Sequence, residues 1–241
     1  MFEAARQNRL LASLPAEDLK RWGPHLQAVK LVRGDVLHEP GERPARAYFP
    51  TTAIVSLLYE ASAGSGAEIG MVGNEGVVGA TLLASADDGP PGRALVQCTG
   101  WAFSLDTHLL EADLHRSTVM QMLLRHTQAL LTQMAQTAAC IRHHRVEQQF
   151  CRWLLLCLDR VGDSELATTQ ATIAAKLGIR RAGVSACAHK LQNAGYIRYS
   201  RGSIRILDRS GLERQACGCY QVISDEYRRL LRERLPRAVG P

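Results

Sequence analysis

The residues whose types and spacing could do chemistry are concentrated between Thr168 and Ile197. Ile173, Ala174 and Leu177 fall at helical spacing, Gly178 and Ile179 follow, and Val184, Ala188 and Leu191 resume the same period. Glycine adopts the left-handed conformation that ends a helix without steric cost. The pattern therefore predicts two short helices joined by a tight turn, the first capped by Thr168 or Thr169. The second, Arg181 to Ala194, would turn Arg180, Arg181, Gly183, Ser185, Ala186, His189 and Lys190 outward. Small side chains beside cations suit a helix lying in the major groove of a duplex, with the cations meeting phosphates or guanine edges. Thr169 and Gln170, opening the first helix, are candidate phosphate contacts. Ile197, Ile204 and Ile206 alternate with polar positions around Arg201-Gly202, predicting a two-stranded wing that offers Arg198, Arg201 and Arg205 to the backbone. A helical hairpin that only packs or binds protein is the bland alternative. The turn glycine, the wing and the local charge favour double-stranded DNA.

Other reactive side chains are scattered. Seven cysteines are dispersed from Cys98 to Cys219, an odd number without a disulfide framework, so reduced thiols are expected. Cys98, Cys151, Cys157 and Cys187 lie in apolar contexts and read as core, and His189 reads as a DNA-facing donor. Cys217-Gly-Cys219 is a candidate thiol or metal pair, and Cys140 with His143 and His144 could be ligands. Neither has the paired spacing of a metal site, so no metal is expected. There is no Ser/His/Asp arrangement, phosphate loop or dinucleotide fingerprint, and an enzyme is not expected. An effector-binding or interaction module that works without DNA is the third class.

The elements that would position these residues follow from periodicity. The chain has 241 residues and a net charge of +6. Residues 1–144 hold 12 basic and 14 acidic side chains, whereas 145–241 hold 17 and 9, so the basic excess belongs to the C-terminal part. No uncharged run is long enough for a membrane span and the N-terminus has no apolar leader, which predicts a cytoplasmic protein. Ser13 and Pro15 would start a short helix reaching about Leu26. From Val29 to Leu105, short alternating runs separated by turn clusters predict an antiparallel sandwich or barrel; the runs are 28–32, 36–38, 54–59, 68–72, 77–79, 95–98 and 102–105. Ser117 to Arg142 contains no Gly or Pro and carries Met120, Leu123, Leu124, Leu130, Leu131, Met134, Ala138 and Ile141 in steps of three and four, a long helix with one stripe. That stripe could pack on the sandwich or form a two-helix seam. Val146 to Val161 is a further helix, ended by Gly162.

Taken in order, Arg33-Gly-Asp-Val-Leu-His-Glu-Pro-Gly-Glu42, Tyr48-Phe-Pro50, Met71-Val-Gly-Asn-Glu-Gly-Val-Val-Gly79 and the helix-turn-helix give a chain that, over residues 9–232, resembles the CRP/FNR family of bacterial regulators. The resemblance implies an α+β fold: an N-terminal antiparallel β jelly roll of the cyclic-nucleotide-binding-like kind (1–115), a long dimerisation helix (116–144) and a C-terminal winged helix-turn-helix (145–241). It implies a homodimeric, sequence-specific DNA-binding transcriptional regulator, gated by an effector in the N-terminal domain and working with RNA polymerase, on a palindromic operator. Family members that bind cyclic nucleotides use a Gly-Glu pair and an Arg-Ser/Thr-Ala triplet. Here the matching stretches are Gly73-Asn74-Glu75-Gly76 and Gly92-Arg93-Ala94, with the carboxylate displaced and the hydroxyl missing. Gly73, Asn74, Glu75, Gly76, Arg93 and Ala94 are thus the candidate effector residues, and a cyclic nucleotide is not the expected ligand. Iron–sulfur members carry an N-terminal cysteine cluster, absent here. The recognition positions that are Glu and Arg in the best-known members are Ala182 and Ala186, so their operator does not transfer.

Overall fold

The computed structural model describes residues 2–61, 65–80, 89–200 and 202–231. Three short helices open the chain: α1 (Phe2–Ala5), α2 (Arg9–Ala12) and α3 (Ala16–Trp22). Asn8 caps α2 through its side-chain oxygen, while its amide donates to Pro50 O and Gly76 O, pinning this turn to the sandwich. Ser13, expected to start a helix, instead closes α2, and α3 begins after Pro15.

Seven strands follow: β1 (Gln27–Leu31), β2 (Val36–His38), β3 (Arg46–Pro50), β4 (Ile54–Ala61), β5 (Ser65–Val72), β6 (Arg93–Cys98) and β7 (Gly100–Asp106). They form two antiparallel sheets, ordered β1-β7-β3 and β2-β6-β4-β5. Leu31 and Ala102 of the first sheet and Val55, Val72 and Val96 of the second fill the space between them, whereas Phe49, Phe103 and Leu105, on the other face of the first sheet, cluster with Leu10, Leu19 and Trp22 of the opening helices. Two expectations are corrected. β3 is not among the expected strands, because flanking prolines and a terminal Pro50 make it read as a turn. Val77–Gly79 makes only an isolated bridge, Tyr48 to Val78, rather than a strand.

After α4 (Thr107–Ala112) comes α5 (Ser117–His143). The single stripe expected on α5 is two faces. Leu123 is buried with Val119, Met122, His126, Ala129 and Gln133 against the sandwich. Leu124, Leu131 and Ile141 point away from it and are 53%, 55% and 55% exposed. Positions 117, 121, 124, 128, 131, 135, 138 and 142 are all exposed, a run of alternating threes and fours along the outer side.

The C-terminal part contains α6 (Val146–Val161), β8 (Glu165–Ala167), α7 (Gln170–Leu177), α8 (Arg181–Asn193), β9 (Ile197–Ser200), β10 (Ser203–Ile206), α9 (Arg209–Gln215) and α10 (Cys219–Leu230). Gly162 takes φ +71° and terminates α6. The wing has a third strand, with order β8-β10-β9; Glu165–Ala167 is too short to announce itself by alternation. Among the described residues, no helix is long and apolar enough to cross a membrane.

Candidate nucleic-acid interface

The helix pair is built locally as its sequence dictates. Thr169 caps α7 by accepting from Thr172 N at 3.2 Å. Gly178, at φ +63°, turns the chain, and Ile179 N donates back to Ala174 O at 3.0 Å. Ile173, Ala174 and Leu177 of α7 then meet Val184, Cys187, Ala188 and Leu191 of α8 in one apolar cluster. Burying those positions commits the opposite side of α8 to solvent. Arg180, Arg181, Ala182, Ala186, His189 and Lys190 are exposed or half-buried there, and Gly183 and Ser185 are half-buried. The first turn of α8 has no side-chain cap, so its N–H groups join Arg180 and Arg181 in a positive end. A Cβ at Gly183 would meet only Ile179 Cδ1, at 3.7 Å, so nothing inside the chain demands glycine there.

Several candidates already have partners within the chain. Gln170 Nε2 donates to Ser185 Oγ at 3.3 Å, fixing the start of α7 to α8. Lys190 lies 3.4 Å from Glu147 on an exposed surface, a contact worth little in water. Arg205 of β10 pairs with Glu165 of β8 at 2.6 Å, whereas Arg198 of β9 is exposed. Arg201 lies outside the described residues.

The opposite side of α7 is held by the sandwich. Lys176 Nζ sits 3.0 Å from Glu68 of β5, with both side chains almost fully buried, and Trp153 Nε1 donates to the same carboxylate at 3.2 Å. Arg33, in the β1–β2 turn, donates to Thr172 Oγ1 at 2.6 Å. None of these contacts follows from periodicity, because each joins residues far apart in sequence.

The six candidate effector residues do not share one pocket. Glu75 forms an ion pair with Arg160 of α6 at 2.7 Å, both side chains buried. Arg160 also donates to Gln133 Oε1 at 2.6 Å and to Leu156 O at 2.8 Å, and stacks on Tyr227 at 5.5 Å. Gly73 and Gly76 are required by close approach: a Cβ would fall 2.6 Å from Arg160 Cβ at the first and 2.5 Å from His126 Cε1 at the second. Asn74 and Glu75 border a cleft of about 590 Å³ shared with α6, α9 and α10. Arg93 lies elsewhere, pairing with Glu39 at 2.6 Å beside a cavity of about 180 Å³ lined also by Tyr59, Thr127 and Leu130. Ala94 is fully buried in the sheet. The displaced carboxylate of the sequence motif is thus explained by a partner in α6 that no local pattern signals.

The Cys217-Gly-Cys219 pair and the Cys140–His143–His144 group, kept apart by sequence spacing, come together in part: Cys140, His144, Cys217 and Cys219 converge, while His143 is exposed. Cys98, Cys151, Cys157 and Cys187 are buried. Burial pushes the thiols of Cys98 and Cys151 up to about 11 and about 12, keeping them protonated and inert.

Residues 148–215 match the Crp-like helix-turn-helix domain. No curated protein sequence matches the chain. Among solved structures, a CRP/FNR-family transcriptional regulator from Thermus thermophilus is 23% identical, over 79% of this chain and 98% of its own, at a TM-score of 0.60. FixK2 from Bradyrhizobium japonicum is 16% identical, over 80% and 98%, at 0.64. The c-di-GMP responsive global regulator CLP from Xanthomonas campestris is 15% identical, over 80% and 99%, at 0.62. At these identities the likeness speaks for the fold, and the matched domain speaks for the helix pair. Residues 148–215 are a Crp-like helix-turn-helix domain, carried in a chain with the fold of the CRP/FNR transcriptional regulators.

Proposed function

We propose that this chain is a sequence-specific DNA-binding transcriptional regulator, working as a homodimer with α8 in the major groove. The observation that carries it is the division of α8: one side fills the core, and the other presents Arg180, Arg181, His189 and Lys190 among small residues. Arg181 and His189 would meet base edges; Arg180, Lys190, Arg198 and Arg201, with Thr169 and Gln170, would hold phosphates; Gly183 and Ser185 let the helix approach. The outer side of α5 supports the dimer, since Leu124, Leu131 and Ile141 find no cover among the described residues. Two-fold symmetry about α5 would set two recognition helices on a palindromic operator. A cytoplasmic location, gating by an effector in the sandwich and contact with RNA polymerase belong to the same proposal.

The test is selection from a pool of genomic duplex fragments by the purified protein, followed by binding titrations at several salt concentrations. A discrete set of fragments should be enriched, with log affinity falling linearly against log salt. Arg181→Ala should weaken the selected duplex by about 1–3 kcal/mol, and Lys190→Ala should reduce the salt slope by about one. No enrichment, or two variants that bind like the parent, would sink the proposal.

A further inference from the structure

α5 and the last helix of the described chain meet at a group of side chains that DNA binding does not use. Cys140 lies in the last turn of α5, and His144 is the residue that ends it, its N–H donating to Cys140 O at 3.0 Å. Cys217 lies in the short link between α9 and α10, and Cys219 opens α10. Cys140 Sγ is 3.4 Å from Cys217 Sγ, and Cys219 Sγ is 3.6 Å from His144 Nδ1. All four donor atoms lie within 4.8 Å of one another, with the three cysteines buried.

That spacing has a chemical meaning. Zinc takes thiolate at about 2.3 Å and imidazole at about 2.0–2.1 Å in a tetrahedron, which puts neighbouring donors roughly 3.3–3.8 Å apart. The Cys140–Cys217 and Cys219–His144 contacts have this length. A disulfide needs sulfurs about 2.05 Å apart, well inside the 3.4 Å seen here. Four donors drawn so close enclose one ion, not a cluster of several irons.

A second observation concerns charge. Arg152 of α6 is buried, and its one hydrogen bond among the described residues is to Thr137 Oγ1 at 3.2 Å. Its Nε has no hydrogen-bond partner, and among the described residues it makes no ion pair with a carboxylate. It is near enough to Cys140 and Cys219 for its charge to act on their sulfurs. A buried guanidinium without a counter-charge is costly. Three thiolates and one neutral imidazole around a divalent ion leave a net charge of minus one, which supplies it.

From this geometry and charge we propose that Cys140, His144, Cys217 and Cys219 are the ligands of a single structural zinc ion. Loading it releases the thiol protons to solvent, with no change of oxidation state. The ion closes four positions and leaves none for water or substrate, so its role is to fasten parts of the chain together. It joins the end of α5 and the two-residue junction His144–Arg145 to the start of α10. The link reaches across the C-terminal domain, so the attitude of that domain on α5 depends on the metal.

The test uses the full chain, produced in zinc-supplemented medium and purified without chelator under reductant. Elemental analysis should find about one zinc per chain. Protein stripped with a strong chelator should take up one cobalt(II), with thiolate-to-cobalt charge-transfer absorption and the visible bands of a tetrahedral ion. Cys217→Ser/Cys219→Ser should lose the metal and both sets of bands, while Cys98→Ala, which changes a buried thiol of the sandwich, keeps them. Cobalt titration of the unsubstituted protein gives the answer even where the double variant fails to fold. Less than about 0.1 zinc per chain together with no tetrahedral cobalt spectrum would overturn the proposal. So would metal retained at full occupancy by the double variant, or a Cys140–Cys217 disulfide in protein kept free of oxygen.

Discussion

Replacing Glu75 tests whether it serves the fold or a ligand. Its carboxylate and the Arg160 guanidinium are 2.7 Å apart, with side-chain exposures of 4% and 3%. Glu75→Ala would leave a buried cation without its counter-charge, and breaking such a pair costs roughly 3–5 kcal/mol. Arg160 keeps its bonds to Gln133 and Leu156 and its place over Tyr227, so the cost should fall at the lower end, about 3 kcal/mol. For a chain of this length that lowers Tm by roughly 6–12 °C. Equilibrium denaturation in urea, with thermal scans beside it, measures the effect. The double variant Glu75→Ala/Arg160→Met removes the stranded charge and should recover more than half of the loss. If Glu75 were a carboxylate held ready for an effector, its replacement would leave stability within about 1 kcal/mol of the parent. That result, or a double variant as unstable as the single one, would refute the assignment.

Three further outcomes follow from particular side chains. Gly183→Ala meets no obstruction inside the chain, so helix propensity should hold or raise stability by up to about 1 kcal/mol. DNA affinity should nevertheless fall, because the added methyl faces the groove; unchanged affinity in a titration against the selected duplex would remove α8 from the interface. Leu124→Glu/Leu131→Glu places charges on the exposed face of α5 and should convert a dimer to monomers in sedimentation at micromolar protein, whereas a still dimeric variant would move the seam elsewhere. His126, buried and donating to Val77 O at 3.1 Å, has its pKa pushed by burial down to about 4 from an ordinary 6.5. Below pH 6.5 the unfolded chain takes a proton that the native chain refuses, so stability drops as pH falls from 6.5 to 4, by roughly 3 kcal/mol. His126→Gln should flatten that limb in urea titrations, and a limb of unchanged slope would contradict the assignment.

What sequence made legible was local. The helix pair could be read because each of its parts is specified within thirty residues: a threonine cap, a glycine in the left-handed region and an apolar period. The strands of the sandwich were legible where they alternate, as in β4 and β7, and not in β3; the wing strand β8 was hidden in the same way, since prolines or brevity remove the signal. On α5 the apolar residues were visible but their division between two faces was not. Leu123 and Leu130 cover the sandwich while Leu124 and Leu131 turn away, and neighbouring positions on a helix merge in a count by threes and fours. The packing of the candidate effector stretch is hidden from the sequence for a related reason. Gly73 and Gly76 looked like ligand-loop glycines, yet they make room for Arg160 and His126, residues 87 and 50 positions further along.

The same long-range contacts bear on how the sandwich and the helix pair act on one another. The boundary between the sandwich and the helices packed on it holds two buried ion pairs, Glu68 with Lys176 of α7, joined by Trp153, and Glu75 with Arg160 of α6, joined by Gln133. Desolvation offsets much of the attraction in such pairs, so a boundary built from them gains less on closing than an apolar one of equal area. Both pairs are nonetheless specific in direction, because a carboxylate left buried without its cation is costly. Such a boundary is fixed in register but modest in strength, the kind that can exchange between arrangements. Lys176 and Thr172 stand on α7, the helix opened by the threonine and glutamine proposed to meet phosphate. Glu68 and Arg33 of the sandwich are therefore tied to the same helix that carries the proposed phosphate contacts, with α6 carrying the second pair beside it.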